Sequence, residues 1–448
     1  SPALDGIYVR NEPLRVYPSG ALAAQVLGLV PQDDQSGLEG LEALYNDLLT
    51  GTPGTKVLER DPAGIPIPLG ALQIEPAVAG VDIRTTIDRE IQYTAQQAAA
   101  QALVDTGAQA ATIVVVNPRT GEILAMASAP TFDPNDRASI SEAIEMGALR
   151  NRAVTDVYEP GSTLKVATVA AALNEGIVTP QDGWWVPAAY EVDGKEEPYT
   201  DVSREEGRHM SVAEIITTSS NVGTIQIQEK LGNELHHRYL EAFGLGQLTT
   251  ESVPGEVPGL LRPVADWVSA TAGASTAIGY RVDVTALQMA ALFGTIANDG
   301  IWVEPHIVSE LIHPDGSHEI TVPAQRPVIS EQTAQQMREL LQGVVEQGTG
   351  KRAAIEDFAV GGKTGTTEKF LPEEGAYSEH DRVASFIGIA PIDEPEIVVA
   401  VVLDSPHGEI EEDGRTIELH LGGVSAAPVF ARVAEAALQA LGVAPDGQ

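Results

Sequence analysis

The 448-residue chain contains no cysteine, which excludes disulfides, thiol nucleophiles and cysteine-ligated metals. Lysine is scarce, with only Lys56, Lys165, Lys195, Lys230, Lys351, Lys363 and Lys369. Basic residues total 27 against 64 acids, a formal net charge of −37, and a surface of that sign repels phosphate backbones, which argues against a nucleic-acid partner. The acid excess suits a solvating surface in a salty environment as well as it suits compositional drift. No apolar run reaches the ~18–20 residues of a membrane span, and no signal peptide is visible. The chain opens at Ser1 without Met, as a processed or trimmed piece of a longer protein would. What remains is an ordinary globular composition, 43% hydrophobic and 20% charged, long enough for two or three domains of ~100–200 residues each.

Residues 1–85 are rich in Gly, Pro and short apolar runs, and read as a small non-catalytic N-terminal region. One helix is predicted there over 38–49, between Gly37 and Gly51, and extended chain over 63–76, where prolines disfavour helix. Residues 86–448 form the second, larger unit. Asp88 is a candidate N-cap for a helix running to about Val104. Apolar runs at 111–116 and 122–128 flank Asn117-Pro118-Arg119-Thr120-Gly121, a strand–turn–strand signal. Three more strands are predicted at 358–367, 383–390 and 397–403, then a helix over 424–441. Strands at both ends with helical sequence between them predict an α/β fold of the α+β type, its sheet assembled from distant segments and covered by the terminal helices. The stretch 130–355 reads as mostly helical with long loops.

Three short patterns carry candidate chemistry. Pro160-Gly161 precede Ser162-Thr163-Leu164-Lys165, and the following helix is apolar on all sides, so it is buried. Ser162 stands at the helix start, where free N–H groups favour developing negative charge, and Lys165 lies one turn later on the same face. A buried lysine must be neutral or paired, and a neutral amine beside a hydroxyl is a base beside a nucleophile. Alone, this spacing describes a capping serine and a surface lysine. Ser219-Ser220-Asn221 follows a helical stretch over 212–218 and alone reads as a helix end. Lys363-Thr364-Gly365-Thr366 lies on the strand predicted at 358–367, where alternation puts Lys363 and Gly365 on one face and Thr364 and Thr366 on the other. Each pattern occurs once, in the order S-x-x-K, S-x-N, K-T-G, a set tied to penicillin-binding proteins and class A β-lactamases.

With these motifs the chain resembles a class B penicillin-binding protein, a monofunctional peptidoglycan D,D-transpeptidase, over nearly its whole length. Further similar stretches are Arg15-Val16-Tyr17-Pro18, Gly37-Leu38-Glu39-Gly40-Leu41-Glu42, TTIDREIQ at 85–92, NPRTGEILAMA at 117–127, DVTALQMAALFGTIANDG at 283–300 and Gln347-Gly348-Thr349-Gly350. The run from Tyr158 to Gly176 is most similar to the cell-division branch. The resemblance implies an antiparallel five-stranded sheet flanked by helices, a mostly helical lobe and a remnant of an N-terminal pedestal. It implies attack by Ser162 on a stem peptide ending in D-Ala-D-Ala, with Lys165 as base. Ser219 and Asn221 close the proton path. Lys363, Thr364, Gly365 and Thr366 bind the substrate carboxylate, and the backbone N–H groups of Ser162 and Thr366 form the oxyanion hole. No metal or cofactor is implied. The implied partners are stem peptides, β-lactams and membrane proteins of wall synthesis and division. The implied location is the extracytoplasmic face of the bacterial cell membrane, anchored by an N-terminal helix that this chain does not include.

Two alternatives stay open. A serine D,D-carboxypeptidase or β-lactamase would pass the acyl group to water, and class A β-lactamases use a Glu-x-x-x-Asn after the S-x-N triplet for that water. No such pair is expected here. A scaffold module with a slow acylable site is the other. Outside the motifs, His236-His237 reads as a surface pair rather than a metal site. Trp184-Trp185 reads as packing of a long loop, and Glu409–Asp413 as a solvated loop.

Overall fold

The computed structural model describes residues 14–31, 36–202, 206–371, 374–412 and 414–445. Helix α1 (Arg89–Thr106) starts where Asp88 accepts from the backbone N–H groups of Glu90 and Ile91, at 2.9 and 3.0 Å. It ends at Gly107, which adopts φ 61°. Strands β1 (Ala110–Val116) and β2 (Ile123–Ala129) follow as a hairpin, its turn held by Asn117 accepting from Arg119 and Thr120 N–H. The helical lobe contributes α2 (Lys165–Asn174), α3 (Val212–Thr217), α4 (Asn221–Leu231), α5 (Ala286–Ala297) and α6 (Glu331–Glu346). The chain then returns to the sheet as β3 (Gly361–Leu371), β4 (Ala376–Ala390) and β5 (Ile397–Asp404), and closes with α7 (Gly422–Ala440).

The five strands pair antiparallel in the order β3-β4-β5-β1-β2. Every residue of β1 and β2 is buried, because the sheet is covered on both faces. The period of two divides β1 between two cores. Ile113 and Val115 pack with Ala95, Ala99, Phe430 and Val433 of α1 and α7, while Val114 and Val116 join Leu287, Ala290 and Phe293 of α5. β3 is an edge strand, and the site is built against it.

Several boundaries differ from the sequence expectation. The helix predicted over 38–49 is split at Tyr45 (φ −103°, ψ 17°) into Gly40–Leu44 and Asn46–Leu49. In the extended stretch, Leu72–Glu75 pairs with Thr55–Leu58. β3 starts at Gly361, three residues late, and β4 starts at Ala376, seven residues early. The β3–β4 hairpin projects past the sheet, so its polar outer half lacks the apolar alternation that marks a buried strand. Glu409–Glu412 is not a loop: it pairs with Arg415–Glu418, Ile410 facing Ile417 across the ladder. Asp413 lies outside the described residues. Among the described residues, no helix is long and apolar enough to cross a membrane.

Candidate active site

The serine lies one step earlier than a simple helix start. Gly161–Thr163 form a single 3-10 turn that runs into α2 through Leu164. Thr163 Oγ1 donates to Pro160 O at 2.8 Å, Gly161 N–H donates to Gly279 O at 3.1 Å, and Thr367 Oγ1 on β3 donates to Glu159 O at 2.9 Å. Two glycines make this clamp. Gly161 (φ +54°) would place a Cβ 2.3 Å from Thr367 Cγ2, and Gly279 (φ +86°) would place one 2.1 Å from the Gly161 carbonyl oxygen. Ser162 is half-buried, and among the described residues its hydroxyl has no hydrogen-bond partner.

Lys165 is fully buried at the first turn of α2. Its Nζ donates to Ser219 O at 2.6 Å and to Asn221 Oδ1 at 2.7 Å, and lies 3.3 Å from Ser219 Oγ. The two short contacts end on carbonyl oxygens, which only accept. A neutral Lys165 therefore uses both N–H donors there and keeps its lone pair for a hydroxyl proton. Burial is the main force pushing this amine well below the usual lysine range; the Lys363 charge adds to it, and Asp201 opposes it. Lys363 is also fully buried. Its Nζ donates to Ser219 Oγ at 2.9 Å and to Thr364 O at 3.2 Å, and burial brings it down to about 7.

The Ser219 turn joins α3 to α4. Ser219 itself adopts φ 60°, a left-handed conformation uncommon for a residue with a Cβ. Ser220 is the N-cap of α4: its Oγ accepts from Gly223 N–H at 2.9 Å and donates to Asp201 Oδ2 at 2.6 Å. Asp201 Oδ1 accepts from Val222 N–H at 3.0 Å, and Asn221 Nδ2 donates to Thr200 O at 3.0 Å. Thr200-Asp201 thus tie down the turn that carries both acceptors of Lys165. Sequence reading missed Asp201, and in its acid-rich loop no local signal singles it out.

On β3 the alternation holds. Lys363, Gly365 and Thr367 face the Ser162 and Ser219 turns, and a Cβ on Gly365 would lie 3.0 Å from Pro160 O. Thr364 and Thr366 point the other way: Thr364 Oγ1 bonds Thr349 Oγ1 at 2.8 Å, and Thr366 Oγ1 accepts from Gly422 N–H at 3.0 Å. Hydrogen bonds therefore join Lys165, Ser219, Asn221 and Lys363 into one network, with Ser162 beside it on the preceding turn and Thr364–Thr366 along the strand. Among the described residues, no cluster of His, Asp and Glu is placed to hold a metal.

Three other expectations need correction or completion. His236 and His237 are both buried, not a surface pair, because Trp267 covers their helix with edge contacts to both rings at 5.7 and 5.6 Å. His236 Nε2 lies 3.1 Å from Thr168 Oγ1, and burial pushes the ring down to about 3, so it is neutral packing. A Glu-x-x-x-Asn spacing does occur between Asn221 and Lys363, as Glu229 to Asn233. Glu229 instead accepts from Tyr190 Oη at 2.6 Å, and Asn233 accepts from Gln228, so neither bonds the network. Trp184 is held by Gln226 at 2.7 Å with the Lys230 ammonium 3.5 Å above its ring, whereas Trp185 is exposed.

The family described as "Penicillin binding protein transpeptidase domain" matches residues 111–435, and "Penicillin-binding Protein dimerisation domain" matches residues 1–85. Penicillin-binding protein PbpB of Mycolicibacterium smegmatis is 36% identical over 445 residues, covering 96% of this chain and 65% of that protein. Stage V sporulation protein D of Bacillus subtilis is 37% identical over 450 residues, covering 99% and 66%. The probable peptidoglycan D,D-transpeptidase PenA of Neisseria gonorrhoeae is 33% identical over 444 residues, covering 99% and 71%. The chain thus spans just under two thirds of the length of the PbpB and stage V sporulation proteins. Among solved structures, penicillin-binding protein 3 from Mycobacterium tuberculosis complexed with ampicillin aligns with TM-score 0.85 at 34% identity, covering 97% of this chain and 91% of that one. By these matches, on this fold, the chain belongs to the penicillin-binding protein transpeptidase family.

Proposed function

We propose that the chain is a serine-type peptidoglycan D,D-transpeptidase of class B, working at the extracytoplasmic face of the cell membrane in wall synthesis for division and shape. Ser162 Oγ attacks the carbonyl of the penultimate D-alanine, and Lys165 takes its proton. The backbone N–H groups of Ser162 and Thr366 hold the oxyanion. Ser219, between the two lysines, passes the proton to the nitrogen of the departing D-alanine, and Asn221 holds both Lys165 and the substrate amide. Lys363 draws the terminal carboxylate, which β-lactams imitate, to the edge of β3 along Thr364, Gly365 and Thr366. The amine of a second stem then displaces Ser162 from the acyl-enzyme and forms the cross-link. In this reading residues 86–448 are the catalytic unit, residues 1–85 a pedestal, and membrane proteins of wall synthesis the partners.

The observation that carries the reading is the pair of fully buried lysines bridged by one serine hydroxyl, with Lys165 driven toward the free amine. Incubation with benzylpenicillin, intact mass measurement and peptide mapping test it. One covalent adduct is expected at Ser162 and none in Ser162→Ala. An adduct on another residue, or none in the unaltered chain, overturns the assignment.

A further inference from the structure

A cavity of about 360 Å³ lies at one end of the sheet, and none of its lining residues belongs to the Lys165–Ser219–Lys363 network. Its volume is that of a small-ligand pocket (~300–1,000 Å³). The floor is the sheet itself: Ala110, Asp404 and Val383 stand in one cross-strand row, and Thr112 and Val402 in the next. Ala286, the first residue of α5, closes one side, and the segment from Arg150 to Tyr158 supplies another wall.

Three cations and two carboxylates line this space. Arg150 and Arg152 share Asp156, at 3.1 and 2.6 Å, and Lys369 Nζ donates to Asp404 at 2.6 Å. One positive charge is therefore in excess, on a chain whose net charge is −37. The hydrogen-bonding capacity is one-sided in the same sense. Both carboxylates are engaged, whereas donors are left over. The Arg152 side chain is nine-tenths buried, and its Nε has no partner among the described residues. The Tyr158 hydroxyl is buried without a partner as well, and burial raises the phenol above its ordinary range, so it keeps its proton. Thr112 is only 6% exposed, and among the described residues its hydroxyl makes no hydrogen bond. Buried donors left unpaired are costly, and a group that only accepts, with negative charge, answers both the donors and the surplus cation. We propose that this cavity is a binding site for a small oxyanion, a phosphoryl or carboxylate group of two or more negative charges, held by Arg150, Arg152 and Lys369 with the Thr112 and Tyr158 hydroxyls.

Calorimetric titration of the full chain with pyrophosphate and, separately, with citrate tests this, at an ionic strength held constant with sodium chloride. Saturable binding of at least one of them is expected; tighter pyrophosphate identifies a phosphoryl ligand, tighter citrate a carboxylate one. Arg150→Ala/Lys369→Met should weaken the tighter anion by about tenfold or more, and Thr112→Val by about threefold or more. Thr112→Val keeps the shape of the side chain, so the test holds even where the double variant fails to fold. Lys363 also attracts anions, so its variant locates the binding: Lys363→Met should leave the affinity unchanged, as should Arg238→Ala, which removes an exposed arginine elsewhere. No saturable binding of either anion, an unchanged affinity in Thr112→Val, or loss of binding in Lys363→Met overturns the site. The titration does not involve acylation of Ser162, so its failure leaves the transpeptidase reading untouched, and failure of that reading leaves this site untouched.

Discussion

Replacing Lys363 by Met removes a charge while keeping an unbranched, buried side chain, and so isolates electrostatics from burial. Lys165 Nζ and Lys363 Nζ lie 3.3 and 2.9 Å from the same Ser219 oxygen. The nitrogens are therefore no more than about 6 Å apart, and two full charges at that separation repel by about 3 kcal/mol at an effective dielectric of ~20. Since Lys363 titrates near 7, this repulsion is fully present only on the acid side of neutrality. Its sign is fixed: a charged Lys363 disfavours a proton on Lys165, so without it Lys165 keeps its proton to higher pH. The acidic limb of the acylation profile should move upward, with the rate at pH 7 falling by about tenfold or more. The assay is the second-order rate of benzylpenicillin acylation from pH 5 to 10. The height of the plateau reports lost carboxylate binding, and the position of the limb reports Lys165, so the two effects separate. Lys363→Arg keeps the charge and should leave the limb in place, while its broad planar fork restores the plateau only in part. An unmoved limb in Lys363→Met, or one shifted toward acid, refutes the electrostatic coupling.

Two further outcomes follow from the same geometry. Asp201→Asn removes the carboxylate that favours a proton on Lys165 while keeping its shape, so the acidic limb should move to lower pH, opposite to Lys363→Met; an unmoved limb would leave Asp201 as a mere helix-end tie. Gly279→Ala should cut acylation by about a hundredfold, because its Cβ must displace the Gly161 carbonyl and with it the serine turn. Gly176→Ala (φ +64°, nothing within 4 Å) is the control for backbone strain alone, and equal acylation by the two variants would refute the clamp.

Where local chemistry decides an element, it was legible. Asp88 caps α1 as its position before the helical pattern requires, and the Val-rich run of β1 marks a strand buried on both faces. The three motifs were legible because each occurs once and in order. What resisted reading depends on distant partners. The outer half of β4, from Ala376 to Arg382, pairs with its neighbour but has no core beside it, so no apolar alternation records it. His236 and His237 are buried by Trp267, thirty residues away, which no periodicity in their own helix announces. Asp201 stands near Glu191, Asp193, Glu196 and Glu197, and only its bonds to a turn some twenty residues later distinguish it.

The same division explains why naming the motif residues does not by itself build the site. Each piece is held locally: the serine turn by Gly161 and Gly279, the Ser219 turn by the Ser220 cap. Their meeting at Lys363, 144 residues from Ser219, is set by the register of β3 on β4, with Lys363 opposite Ile387 and Gly365 opposite Ser385. Strand side chains alternate, so a slip of one residue would exchange the two faces. Thr364 and Thr366 would then face Ser219 and the serine turn, and Lys363 would be driven toward Thr349 and Gly422. Gly365 and Gly422 oppose such a slip. A Cβ on Gly365 would lie 2.3 Å from Ser385 Oγ, and a Cβ on Gly422 would lie 2.2 Å from Gly365 O. The register that fits the strand between its neighbours is therefore the one that delivers the second ammonium to Ser219.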